Sequence, residues 1–138
     1  MTNDMRLAFS TNAFTRFSLA DALRGIRDAG FIGVEILADV PHAWPPGIDD
    51  AMIGQLTRDL ERLGLEVSNV NANCSFGYWK DAPPEPYFEP SLISPNAKHR
   101  ADRIDLILQT LEFAKAINAR NISITSGRCL GPMDPAKA

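Results

Sequence analysis

Excess positive charge is the first thing this sequence lacks: 14 lysines and arginines stand against 17 aspartates and glutamates, a net charge of −3 over 138 residues. Binding to nucleic acid needs a basic surface, so this balance speaks against nucleic acid as the main partner. Long apolar runs are missing as well. None approaches the roughly 18 residues that cross a bilayer, and no membrane partner is expected. The opening MTNDMRLAFS has no basic segment followed by an apolar run, so no secretion signal is expected. Two cysteines are too few for a disulfide framework. Against these absences stand 45% hydrophobic residues, enough for a real core. The expectation is one cytoplasmic domain spanning residues 1–138.

What is present is organised around residues 31–46, FIGVEILADVPHAWPP. Val34, Ile36 and Ala38 alternate with Glu35, Leu37 and Asp39, the two-residue period of a strand. Both sets are largely apolar, which predicts a strand covered on both faces, as in parallel α/β sheets. Glu35 is the exception, a carboxylate inside a run that should be buried. Asp39, His42 and Trp44 follow at once, and Pro45-Pro46 stiffen the exit. Chemistry in α/β proteins gathers at the carboxyl ends of strands, so this stretch is the expected rim of a site.

Around it the chain alternates strand and helix. Residues 6–11 predict a first strand, and Ser18 with Asp21 forms a capping box for a helix whose stripe is Leu19, Ala22, Leu23, Ile26 and Ala29. Gly30 is placed to close that helix in a left-handed conformation. Asp49 or Asp50 caps a second helix, with stripe Ile53, Leu56, Leu60 and Leu63 and a stop at Gly64. Residues 65–71 predict a third strand. The long segment 72–93 holds Phe76, Tyr78, Trp79, Tyr87 and Phe88 among four prolines, which suggests a packed lid. Ser94 followed by Pro95 predicts the start of a third helix, buried through Ile104, Ile107, Leu108, Leu111, Ala114 and Ile117. Residues 120–125 predict a fourth strand, with Ser126-Gly127-Arg128 at its exit. This order predicts right-handed βαβ units and a parallel sheet. Asp134-Pro135 announces a further helix, yet the sequence stops at Ala138. The fold expected is therefore the parallel βαβαβαβ N-terminal half of a (β/α)₈ TIM barrel, truncated at the start of the fourth helix, with another chain or a longer frame supplying the rest.

Several residues are candidates for chemistry. Glu35 either faces the lumen to bind a substrate hydroxyl or pairs with a basic side chain such as Arg6. His42, beyond a strand end, is either a ligand-binding imidazole or a solvated loop histidine. Asn71 and Asn73 suit sugar hydroxyls as amide donors and acceptors, or else shape turns. Arg128 offers a planar fork for phosphate or carboxylate, or holds a loop. His99, among Lys98, Arg100 and Arg103, reads as part of a solvated face. Cys74 and Cys129 default to free thiols, since a thiolate metal site needs two more ligands. Trp44, Phe76, Tyr78 and Trp79 either stack on a sugar ring or form a small satellite core.

The pieces STNAF, GVEILADVPHAWPP, VNANCSFGYW and SITSGR, in that order, resemble the xylose isomerase-like TIM-barrel family, and most closely its sugar phosphate isomerases/epimerases. The resemblance spans the chain but only the N-terminal half of the family's fold. It implies a metal-dependent isomerase or epimerase that abstracts a proton next to a carbonyl, with a divalent metal stabilising the enediolate. It also implies that Glu, Asp, His and Glu metal ligands sit in the second half of the barrel. This chain alone is then expected to hold no metal, to leave the catalytic residues elsewhere, and to contribute Glu35, His42, Asn71, Asn73 and Arg128 to a sugar or sugar-phosphate pocket. Two alternatives stand beside this. One is a non-catalytic half-barrel that pairs with itself or a partner chain. The weaker one is an abasic-site endonuclease-like metal phosphodiesterase from the same superfamily.

Overall fold

The computed structural model describes residues 6–80 and 88–127. Its order is β1 (Ala8–Ser10), α1 (Leu19–Asp28), β2 (Gly33–Leu37), α2 (Asp50–Leu63), β3 (Glu66–Asn71), α3 (Ala97–Ala116) and β4 (Ile122–Ser123). All neighbouring strands pair in parallel, in the order β1-β2-β3-β4. The expected α/β architecture is present.

Local chemistry sets the boundaries. Ser18 accepts the Asp21 amide and starts α1, and Asp49 accepts the Met52 amide at 2.8 Å and starts α2. Gly64 ends α2 at φ 61°, a left-handed conformation that costs glycine nothing, and Gly30 turns the chain into β2 at φ 91°. Two strands are shorter than expected. At β1, Ser10 Oγ takes the Asn12 amide and turns the chain into the 3₁₀ turn Thr11–Phe14. Thr11, fully buried, then completes the ladder with its side chain, its Oγ1 accepting the Leu37 amide at 2.9 Å. At β4 only Ile122 and Ser123 pair.

The third helix departs from expectation in two ways. Its N-cap is Asn96, which accepts the Lys98 amide, because Ser94 Oγ is used one turn earlier on the Asn96 amide. Its buried stripe is Arg103, Leu106, Thr110, Phe113 and Ala114. Of the expected stripe, Ala114 and Ile117 are buried, whereas Ile104, Leu108 and Leu111 are 51%, 56% and 46% exposed. The helix is apolar on two adjacent flanks, and only one of them meets the sheet. Leu108 and Leu111 border an open groove with Pro45, Ile48 and Ile53 on the α2 side, while Ile124 is 44% exposed just past β4 and Leu7 and Phe9 stand exposed at the β1 edge.

The core lies between sheet and helices, where Leu23 and Ile26, Leu56 and Leu60, and Phe113 pack on Val34, Ile36 and Val70. Each such aliphatic side chain contributes about 2 kcal/mol. A bulge controls what the other face carries. Val34 pairs with Val67 but Glu35 pairs with Asn69, so Ser68 is skipped, its Oγ instead donating to Val34 O at 3.1 Å. The skip changes parity. Val67 and Val70, three apart, both turn to the core, while Asn69 and Asn71 turn to the helix-free face beside Glu35.

Candidate functional site

On the helix-free face the strands lay one polar side chain beside the next. Glu35 Oε1 accepts from Ser10 Oγ at 2.6 Å and Asn71 Nδ2 at 3.1 Å, and its Oε2 accepts from Asn69 Nδ2 at 2.7 Å. Asn69 Nδ2 also donates to Ser123 Oγ at 2.9 Å, so the row crosses all four strands. Burial alone would raise the Glu35 carboxyl. The bonds from Ser10, Asn69 and Asn71 outweigh it and hold the group below its ordinary value, an anion at neutral pH. The basic partner considered for it is engaged elsewhere, since Arg6 bonds Glu66 at 2.5 Å. A carboxylate has about four lone-pair positions. Three are used here, which leaves Glu35 and the Asn69 Oδ1 to meet incoming hydroxyls.

The structure thus unites Glu35 and Asn71 and keeps Asn73 at the same end, its amide bonded to Asn71 Oδ1 at 3.0 Å. His42 is placed elsewhere. Its ring is buried in the helical layer, bonded to Phe17 O at 3.2 Å and bordering a groove lined by Leu19, Leu23, Met52 and Leu56. Burial lowers its pKa, against the Phe17 and Phe14 carbonyls, so the ring is neutral at pH 7. Arg128 and Cys129 lie outside the described residues, as does Tyr87. Ser10, Asn69 and Ser123 are not singled out by the sequence, although Asn69 carries a signal in its two-residue spacing from Asn71.

The rim is built from the β2 and β3 exits. Trp44 meets Tyr78 edge-on at 5.1 Å between ring centroids, and Gly77 lies so close to the indole that a Cβ there would sit 2.3 Å from Cδ2. Tyr78 OH donates to Asp102 O at 2.9 Å and Trp79 Nε1 to Glu89 O at 2.9 Å. His99 is half-buried, its Nδ1 2.8 Å from Glu89 Oε2, and so belongs to the loop's fastening rather than to a solvated face. Cys74 is a free, half-buried thiol, pushed up by burial and by the Asp39 charge.

A divalent ion of the kind the resemblance implies finds a poor fit here. The row offers one carboxylate, already accepting three hydrogen bonds, and among the described residues no group of three or more His, Cys, Asp or Glu side chains converges. No helix among the described residues is long and apolar enough to cross a membrane.

Comparison of the whole fold with solved structures finds the same arrangement in several of them. A D-psicose 3-epimerase structure determined in the presence of D-fructose matches 96% of this chain with a TM-score of 0.68 at 14% sequence identity. The fold is that of half a TIM barrel. A family 2 AP endonuclease from Brucella melitensis matches 92% of the chain with a TM-score of 0.57 at 24% identity. The chain spans 43% of the length of each, as a half-barrel would. No family model matches the sequence, and comparison with curated proteins gives no match.

Proposed function

We propose that this chain is the substrate-recognition half of a cytoplasmic sugar or sugar-phosphate isomerase or epimerase, supplying pocket wall rather than the reacting groups. The observation that carries the proposal is the hydrogen-bonded row from Ser10 through Glu35, Asn69 and Asn71 to Ser123. A carboxylate flanked by amides and hydroxyls can pair with adjacent sugar hydroxyls while its own groups stay satisfied. Support from outside the chain comes from the epimerase structure with D-fructose. In this proposal the metal and the acid–base groups belong to the part of the barrel that follows, and Arg128 takes the phosphate or carboxylate end of the ligand. Titration calorimetry with D-fructose and with a ketohexose phosphate tests it on the purified chain. Binding at about millimolar Kd or tighter, lost in Glu35→Gln, is expected. Absence of binding by either sugar overturns the proposal.

The exposed Ile124 past β4 and Leu7 and Phe9 at the β1 edge favour completion of the wall by further strand–helix units. A C-terminal half or a second copy of this chain would supply them. A well-folded dimer in sedimentation supports self-pairing, and a lone stable monomer counts against it. The endonuclease alternative has the net charge of −3 against it, and salt-sensitive DNA binding would revive it.

A further inference from the structure

Two opposite charges are buried beside the loop that follows β3, and neither belongs to the polar row. Asp39, fully buried just past β2, accepts the Phe76 amide at 2.7 Å, the Gly77 amide at 2.8 Å and its neighbour Val40's amide at 2.8 Å. Arg103, 1% exposed on α3, donates to Ala72 O at 2.6 Å, Cys74 O at 3.3 Å and Asn73 O at 3.4 Å. The anion thus takes the loop's amides and the cation its carbonyls. The two charges attract each other across the main chain between them.

Irregular main chain at this depth must have its polar groups paired, and ordinary ladders cannot do it. An apolar filling would exclude water but leave those groups orphaned, whereas two charges satisfy six bonds to main chain. The same loop is seated on Trp44 through Gly77, and Thr125 Oγ1 bonds Asn73 O at 3.3 Å. Its far end is tied by Tyr78 to α3.

We infer that Asp39 and Arg103 are a positioning pair for the candidate site: from opposite sides they hold the amides and carbonyls of the loop after β3, and so set where Asn73 and the aromatics from Phe76 to Trp79 stand beside the strand ends. The functional meaning of this clamp rests on the sugar site proposed above. Its physical action does not. Removing either charge leaves the other buried without its counterpart, so one substitution should release the loop nearly as far as two.

The test uses Asp39→Asn, Arg103→Met, the double variant and Gly77→Ala in the full chain. Chymotryptic cleavage after Phe76, Tyr78 and Trp79 reports loop opening, and D-fructose calorimetry reports the site. Each single charge variant is expected to speed loop cleavage by about tenfold while sites within α2 stay protected, and to weaken D-fructose by about fivefold or more. The double variant should fall well short of the product of the singles. Unchanged loop protection, cleavage spreading equally into α2, or effects that simply multiply would overturn the clamp. If the charge variants do not fold, Gly77→Ala decides, since its new Cβ meets Trp44 and displaces the Gly77 amide from Asp39 while both charges stay in place. An open loop with wild-type D-fructose affinity in that variant refutes the positioning role. If the wild-type chain binds no D-fructose, the functional proposal falls, while loop cleavage and the double-variant comparison still judge the clamp.

Discussion

Replacing Glu35 by Gln removes one charge and keeps the shape, which makes it a sharp probe of the polar row. Oε1 receives two donors and Oε2 one, so the glutamine oxygen will occupy the Oε1 position facing Ser10 and Asn71. Its NH₂ then faces Asn69 Nδ2, donor against donor, and the bond of 2.7 Å is lost. The two surviving bonds become neutral. A hydrogen bond to a charged group contributes about 1.5–3 kcal/mol and a neutral one about 0.5–1.5, and the half-exposed setting favours the lower ends. The loss is about 2 kcal/mol at neutral pH, which lowers Tm by about 5–10 °C in a chain of this size. The pH dependence is the stronger check. The folded Glu35 carboxyl titrates below its ordinary value of 4.5, so its contribution is present above that value and is lost as pH falls through the folded pKa. Glu35→Gln has no such acid. Urea unfolding of both proteins from about pH 7 to about pH 3 should therefore show a gap that is full near neutrality and closes on the acid side. A gap that stays constant, or widens in acid, would refute the placement of the carboxylate among three donors.

Other perturbations follow from single contacts. Thr11→Val leaves the buried Leu37 amide without its acceptor and should cost about 1–3 kcal/mol in urea unfolding; a cost below about 0.3 would mean that another group caps β2. Gly64→Ala forces a side chain into φ 61° and should cost about 1 kcal/mol with little change in the denaturant slope; neutrality would refute the left-handed stop. Leu108→Gln on the bare flank of α3 should change the stability of the isolated monomer by less than about 0.5 kcal/mol while lowering any self-association seen in sedimentation; a large stability loss would mean that the flank is covered.

Much of the fold is legible in the residues because its punctuation is local. Ser18 and Asp49 announce helix starts through their own side chains, and Gly30 and Gly64 announce stops through a backbone conformation. Glu35 declares itself as a carboxylate in an apolar run, and Asn71 by its place at a strand end. Other features depend on distant partners. α3 offers two apolar flanks, and the choice between them is made by what Arg103 can reach in another loop. His42 follows a strand end just as Asn73 does, yet it points among helices because Phe17 O is its partner there. Asp39 reads as rim chemistry in the sequence, but the amides it serves lie 37 and 38 residues downstream. The spacing of Asn69 from Asn71 shows that the two share a face, but that Glu35 stands opposite Asn69 depends on Ser68 being passed over.

That skipped pairing gives the strand two phases. Up to Val67 one parity faces the helices, and from Asn69 onward the other does. Were Ser68 taken into the ladder opposite Glu35, both asparagines would pass under the helices and Val70 would come out in their stead. A wet wall would become a greasy one with hardly a change in composition. Removal of Ser68 itself would restore plain alternation of Val67, Asn69, Val70 and Asn71 and keep the wet wall, so the pairing register at this point, more than the residue count, decides which side chains line it.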